Sequence, residues 1–384
     1  GRWYVKPRIL KILLFTLLDL AVVEGVLRLQ QAIGPLYDLE MEHVTLARMS
    51  DELNHVPLPE ETWTLGSADV YGEASGDTYT IRRDSLGVRL NALRSDPDPA
   101  APRILFLGDS FVEGYDDANT LVQRTWEALR ELAPDAPPPT MYNAGHSSYS
   151  PAILVPQARR LVPVLDPDFV VVVIDQTDLG DDYMRYERLI RRDADGRIAG
   201  VSATPIAVAF EQGLLDARDH GLYLVRMIHK LHHTRIRMPK LRREYRSWYP
   251  HGSLSNAMDP EGSAEKYAAE IAVFRRNVDE LVKTLVELLG DERRVLMVVH
   301  PHRQQTVPDV EGVLWNDFVT PTVSAVASAR GVEMLAAREG LIEAAGEDGD
   351  VLYWPADMHF NYAGITIYGG VIAHSLHPLI DPSR

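Results

Sequence analysis

Cysteine is absent from the 384 residues, so neither a disulfide framework nor a thiolate metal site is available, and the redox compartment is left open. Positive charge is scarce. Lys and Arg number 39 against 55 Asp and Glu, and the formal net charge of −16 repels phosphate, which argues against nucleic acid as the main partner. The chain has no phosphate-binding glycine loop, no dinucleotide fingerprint, no internal repeat and no extended low-complexity tract. No cofactor and no metal are expected. What the chain does have is length enough for one large domain or two smaller ones, each with a packed core.

Long apolar runs are also few, and the longest comes first. GRWYVKPRILK carries Arg2, Lys6, Arg8 and Lys11 and no acid, and ILLFTLLDLAVVEGVLRL then runs from Ile12 to Leu29. At 1.5 Å per helical residue, residues 9–29 span roughly 30 Å, the hydrocarbon thickness of a bilayer. The expectation is a single membrane-spanning helix within residues 1–35. Basic residues ahead of it place the N-terminus in the cytoplasm and the main domain outside, in the periplasm. The rivals are a cleaved signal peptide, although no small-x-small cleavage site follows, and an amphipathic surface helix. The strongly apolar residues between Ile12 and Leu27 contribute roughly −3 to −7 kcal/mol to insertion, and Asp19 near mid-span gives back about 3. Glu24 and Arg28, four apart, pair on one helix face. Asp19 has no such partner, so it is either protonated or snorkelling, or it contacts another membrane protein.

Residues 36–102 read as a juxtamembrane extension. It holds a hairpin at YTIRRDSLGVRL with its turn at Gly87, and ends in the Pro-rich linker SDPDPAAP at 95–102, where the main boundary is expected. Beyond it, strand candidates at 103–107, 140–144, 169–175, 295–300 and 332–336 alternate with helices near 120–133, 151–162, 262–289, 316–330 and 361–377. That alternation predicts an α/β domain over 103–384 with a parallel sheet covered on both faces. Residues 184–261 do not fit the alternation and read as an insertion. Its segment RMIHKLHHTRIRMPKLRREYR, 226–246, holds eight Lys or Arg and one acid. It is either a solvated basic helix pair broken at Pro239 or a contact for an anionic surface: lipid head groups, an acidic polysaccharide or a partner protein.

The stretch RILFLGDSFVEGYDD, 103–117, runs an apolar strand into Gly108, Asp109 and Ser110. A serine hydroxyl is a poor nucleophile without a base, and the base needs an orienting acceptor. WPADMHFNYAG, 354–364, supplies Asp357 and His359 two apart in a loop before a helical pattern. YNAGHSSYS, 142–150, places Gly145 after a short strand, where a backbone N–H can approach a substrate oxygen closely. VVHPHRQ puts His300 and His302 at the end of the fourth strand, where they either cap the strand or touch substrate. His229, His232 and His233 have helical spacing but no carboxylate to complete a zinc site. Asp178, Asp181 and Asp182 lack the alternation of a calcium loop and read as a solvated turn.

GDSF, NAG and DMHFN occur in the order and approximate spacing of the SGNH (GDSL-type) hydrolase superfamily, and the resemblance spans roughly residues 79–380. The chain also resembles membrane-anchored members, with an N-terminal span and a GVR-type segment ahead of the first strand. The resemblance implies a three-layer α/β/α sandwich with a flavodoxin-like parallel sheet. It implies Ser110 as nucleophile, His359 as general base, Asp357 as its orienter, and the Ser110 and Gly145 amides as oxyanion donors. Asp109, Asn143, His146, His300, His302 and Asn361 become candidates for lining the substrate site. One departure stands out. Where the family carries an asparagine after its third strand, IDQTDLGDD has Thr177, whose hydroxyl is shorter than an amide; Gln176 is a neighbouring donor of the right kind.

Two functions follow. One is a membrane-anchored extracytoplasmic serine esterase or acyl hydrolase, or an O-acyltransferase using the same acyl-enzyme, acting on ester-linked acyl groups of glycans or lipids. The other is an accessory subunit in which a weak or silent hydrolase-like fold is clamped to a larger membrane complex, for example an energy-transducing one. Its contacts would run through residues 9–29 and the basic segment 226–246.

Overall fold

Five apolar runs become the strands of one sheet in the computed structural model. The structure describes residues 7–33, 47–60, 62–66, 78–91, 100–218, 220–245, 263–306, 315–345, 352–354 and 359–380. The strands are β1 (Arg103–Leu107), β2 (Thr140–Asn143), β3 (Phe169–Ile174), β4 (Val295–Val299) and β5 (Glu333–Ala336). They lie in the order β2-β1-β3-β4-β5, every pair parallel, with Leu105 opposite Val170, Val172 opposite Met297 and Val298 opposite Leu335. This is the flavodoxin-like order, and the reversal of strand order between β1 and β3 marks the switch point where such sheets open a crevice at their carboxyl ends.

The two central strands, FVVVVI and VLMVV, are buried on both faces because helices cover both. On one face Ile104, Phe106, Val171, Val173, Leu296 and Val298 pack with the helices Leu121–Leu132, Ala337–Ala345 and Tyr362–Ile380. Pro151–Leu165, Ala268–Leu289 and Val319–Arg330 cover the other. The α/β class and the parallel sheet are as the alternation predicts, with strand ends one residue shorter at several places. The expected hairpin forms at Arg83 and Arg89, which bridge antiparallel across a turn whose Gly87 has φ +79°.

The chain divides into two units; the expected 95–102 linker lies, as far as residue 99, outside the described residues. Ser50–Ser202 with Pro250–Arg384 form the α/β unit, so most of the 36–102 extension and the ends of the 184–261 insertion belong to it. Gly1–Met49 with Ala203–Tyr249 form a helical unit. In it Pro7–Ile33 is one helix of 27 residues. No helix among the described residues is long and apolar enough to cross a membrane. Every 18-residue stretch of Pro7–Ile33 carries Asp19, Glu24 and at least one of Lys11 and Arg28. The basic segment is not broken at Pro239. Tyr223–His232 continues through a π-helical turn, His233–Arg237, into Met238–Tyr245. Met238 N–H bonds His233 O in that turn, and the wider turn accommodates a residue that has no N–H to donate.

Candidate active site

β1 ends at the crevice, and Gly108 takes the chain out of the sheet. A Cβ there would lie 2.6 Å from Val112 Cγ2 and 3.0 Å from Val173 O, so only glycine fits. Asp109 caps the single helical turn Ser110–Glu113, accepting Phe111 N–H at 2.9 Å. The turn presents Ser110, half-buried, and its Oγ lies 2.8 Å from His359 Nε2 across 249 residues of sequence. His359 stands just ahead of the helix Tyr362–Ile380. Its loop is held by the Trp354 N–H bond to His359 O (3.1 Å) and by Asn361, whose Oδ1 accepts Gly364 N–H (3.0 Å) and whose Nδ2 donates to Tyr353 O (3.1 Å). The Phe111 ring packs 4.7 Å from the imidazole, and Tyr115 6.5 Å from it. Asp357 lies outside the described residues. A serine hydroxyl that can donate to an imidazole nitrogen is the geometry a general base needs to take its proton.

The expected oxyanion donors fare unequally. Ser110 N–H makes no hydrogen bond among the described residues. Gly145 N–H is instead given to Asn143 Oδ1 at 3.1 Å, and Asn143 Nδ2 bonds Val112 O at 2.9 Å. Gly145 is needed for close packing: a Cβ there would collide with Glu113 N and lie 2.6 Å from Val112 Cβ. Thr177 is also committed, since its hydroxyl and its N–H both donate to Asp175 Oδ2. Gln176 is different. Its Oε1 accepts Gln305 Nε2 at 3.0 Å, while its own Nε2 is buried with no hydrogen-bond partner among the described residues. Gln305 is fixed in turn by Asn316 O (2.7 Å) and by His302 N–H on its Oε1 (2.8 Å).

Most of the candidate lining residues are buried supports. Asn143 is fully buried beneath the turn, and Asn361 caps a helix. His146 is 4% exposed and its Nδ1 sits 3.2 Å from Glu113 Oε1. His300 is buried with Nε2 3.1 Å from Asp175 Oδ1 and Nδ1 3.0 Å from Pro301 O, and its ring lies 3.9 Å from Phe111. His302 stacks parallel on Trp315 at 5.9 Å, and burial lowers its pKa. Asp178, Asp181 and Asp182 are buried too, correcting the solvated turn. Asp182 accepts Ser150 Oγ and Ala152 N–H, anchoring the start of Pro151–Leu165, and Asp178 accepts Asp175 N–H. Burial pushes Asp181 and Asp182 up to about 7, and raises Asp109 and Asp178, the latter two further by neighbouring carboxylates. Asp175 is also desolvated, but its interactions with His300, His302 and the Thr177 hydroxyl outweigh burial and hold it below the usual range.

The largest feature missed in the sequence is the hub at Glu113. One carboxylate oxygen accepts Arg83 and His146, and the other accepts Ser147 N–H at 3.0 Å. Arg89, 1% exposed, donates to the carbonyls of Glu113 (2.5 Å), Gly114 (2.7 Å) and Tyr115. Burial alone would raise Glu113, but Arg83, His146 and Arg89 together drive its pKa well below the carboxylate range. The only signal for this was the GVR segment, which supplies Arg89.

No family model matches the chain, and no curated protein matches it by sequence. Among solved structures it is similar in fold to a lipase/acylhydrolase from Enterococcus faecalis, at 12% identity and TM-score 0.40, covering 74% of this chain and 99% of that one. It is also similar to an alpha/beta hydrolase from the metagenome of Lake Arreo, Spain, at 14% identity and TM-score 0.42, covering 73% and 98%. A third is an acetylxylan esterase from Geobacillus stearothermophilus, at 11% identity and TM-score 0.41, covering 72% and 94%.

Proposed function

We propose that this protein is a serine esterase or acyl hydrolase that works through an acyl-enzyme on Ser110. The observation that carries the reading is the 2.8 Å approach of Ser110 Oγ to His359 Nε2 at the switch point of the sheet. His359 takes the hydroxyl proton as Ser110 attacks the ester carbonyl, then returns it to the departing alcohol; water repeats the cycle on the acyl-enzyme. A sugar hydroxyl in place of that water makes the same machinery an O-acyltransferase. Asp357 is the residue proposed to orient His359. The substrate class proposed is ester-linked acyl groups on glycans or lipids. Tyr115, Trp354 and Tyr362 support a ring-bearing or acyl-bearing substrate, because they pack edge to face with one another and Tyr115 packs in turn on His359. Release of acetate from acetylated glycans, set against release from short-chain nitrophenyl esters, tests the reading; no turnover of either sinks it.

Gln176 is proposed as the second oxyanion donor, taking the part expected of Gly145 and Thr177. An orphaned buried NH2 group is costly unless it has a use. Gln176→Ala is therefore expected to lower kcat by about 10² to 10³-fold with KM little changed, whereas Thr177→Val leaves kcat within a few-fold. Steady-state kinetics of both variants check this, and the reverse ranking overturns it.

The helix Pro7–Ile33 is proposed as a membrane anchor, with the α/β unit outside the cytoplasm. From Ile12 to Val23 its described side chains are exposed and, Thr16 and Asp19 apart, apolar. The accessory-subunit reading keeps one specific observation in its favour: Gly145 and Thr177 are both turned to internal partners. In that reading Asp19, exposed and without a partner among the described residues, pairs with another protein's helix. Sizing the chain extracted from native membranes in mild detergent separates the two. A lone monomer excludes the docking role, and a larger complex lost in Asp19→Leu supports it.

A further inference from the structure

The N-terminal helix and the basic segment are about two hundred residues apart in sequence, yet one carboxylate joins them. Glu24 accepts Tyr223 N–H at 3.0 Å and Leu224 N–H at 2.8 Å, so it caps a helix whose own N-cap residue, Leu222, has no side chain to do so. Arg28 closes the joint. Its Nε bonds Glu24 Oε1 at 2.8 Å, its Nη2 bonds Gly221 O at 2.9 Å, and its guanidinium lies 4.7 Å over the Tyr223 ring. The expected Glu24–Arg28 pair thus forms, and it is spent on a second helix.

The helical run this joint fixes has two kinds of surface. His233 and Met238, five apart across the π turn, are buried, and Gly213 of the helix Pro205–Arg218 makes room for the His233 ring, against which any Cβ would collide. Elsewhere Leu222, Ile228, Leu231 and Ile236 are 54, 55, 41 and 62% exposed. Arg235, Arg237 and Lys240 are exposed among them, with no ion pair among the described residues. Ile228 and Leu231, at i and i+3 in the α-helical part of the run, share one side of it. Singly scattered exposed apolar residues are ordinary, but four large exposed aliphatic side chains within fifteen residues, set among these cations, concentrate apolar and basic surface on one short run.

We propose that the run Leu222–Lys240 lies along the surface of an anionic lipid bilayer, as a second membrane contact beside the Pro7–Ile33 helix. Charge complementarity selects this occupant: the cations meet lipid phosphates while the aliphatic groups sink among the upper acyl chains. The adjoining exposed apolar surface of Pro7–Ile33, in the same unit, supplies continuity. An acidic protein partner would satisfy the cations but not four protruding aliphatic side chains. The proposal stands apart from the esterase chemistry, and rests on the anchoring reading only for the nearness of the bilayer.

The lack of cysteine makes a direct test possible, since any introduced cysteine is the single labelling site. Full-length chain with Ile236→Cys, carrying an environment-sensitive fluorophore, is reconstituted into phosphatidylcholine vesicles with or without phosphatidylglycerol. A parallel Leu14→Cys sample reports the anchor by itself. The expected result is that the label at 236 shifts to the blue and is quenched by brominated lipid only where phosphatidylglycerol is present, and reverts at high salt. Combining Arg235→Glu, Arg237→Glu and Lys240→Glu weakens that partitioning by roughly a hundredfold or more, with the far-ultraviolet circular dichroism unchanged. A label at 236 that stays in water while the one at 14 enters the bilayer overturns the proposal and leaves the anchor standing. Equal immersion in neutral and anionic vesicles also overturns it, because charge then plays no part. Both labels in water overturn the proposal and the anchor together.

Discussion

Ser110→Ala is expected to lower ester hydrolysis by about 10⁴-fold or more and to abolish labelling of the chain by a fluorophosphonate probe. The loss should be large because Ser110 Oγ is the group proposed to become acylated, and no neighbour can replace it: of the flanking residues Phe111 has no nucleophile and Asp109 is buried as a cap. His359→Ala should cost a similar factor. The two losses should not add, since a base with no hydroxyl to deprotonate contributes nothing and the double variant should be no worse than either single one. Non-additivity separates a working dyad from two polar residues that happen to meet. Labelling that persists in Ser110→Ala would show that another nucleophile reacts. No labelling of the parent chain would shift the balance to the accessory-subunit reading, in which the same 2.8 Å contact is inherited and idle.

How much of this could be read from the sequence depended on whether a residue's partners were local. β3 and β4 were legible because burial on both faces writes a continuous apolar run, FVVVVI and VLMVV. Ser110 and His359 were legible because each sits at the end of a regular element within a recognisable motif. Asn143 was legible as a polar residue at the end of a strand but not as the buried partner of the Gly145 N–H, since that bond depends on how the chain turns after β2. The buried aspartates after β3 misled for the same reason. Asp178, Asp181 and Asp182 look like a wet turn until Ser150 and Ala152, some thirty residues earlier, are brought against Asp182. Pro239 signals a break only if the helix ahead of it keeps an α-helical hydrogen-bond ladder, and the π turn does not. The joining of Glu24 to Tyr223 lies beyond any local pattern. So does the hub at Glu113, whose ligands Arg83 and His146 come from thirty residues before it and thirty-three after.

That hub should be where the α/β unit is most easily broken. Glu113→Ala leaves Arg83, 6% exposed, as a buried cation without its carboxylate, and leaves the buried Arg89 only Asp117 at 3.8 Å. Breaking a buried pair in this way typically costs about 3–5 kcal/mol, because the remaining charge cannot be rehydrated in place. With Tm moving about 2–4 °C per kcal/mol in domains of 150–250 residues, a fall of roughly 6–20 °C is expected in a thermal melt at neutral pH. Activity should suffer as well, since Arg89 grips the carbonyls of residues 113–115 and so fixes the end of the turn that presents Ser110. The pH dependence has a definite direction. Native Glu113 stays ionised below the roughly 4.3 at which an unfolded glutamate takes a proton, so its stabilising effect is complete above that value and is lost as the pH falls through it. In Glu113→Gln that effect is absent at every pH. The Tm gap between the parent and the glutamine variant should therefore be widest near neutrality and narrow steadily below about pH 4.3, while contributions common to both chains, including the raised Asp181 and Asp182, cancel in the difference. A gap that stays constant from neutral to acid pH would mean that Glu113 holds the turn by shape and hydrogen bonds alone, and that its charge does not stabilise the fold.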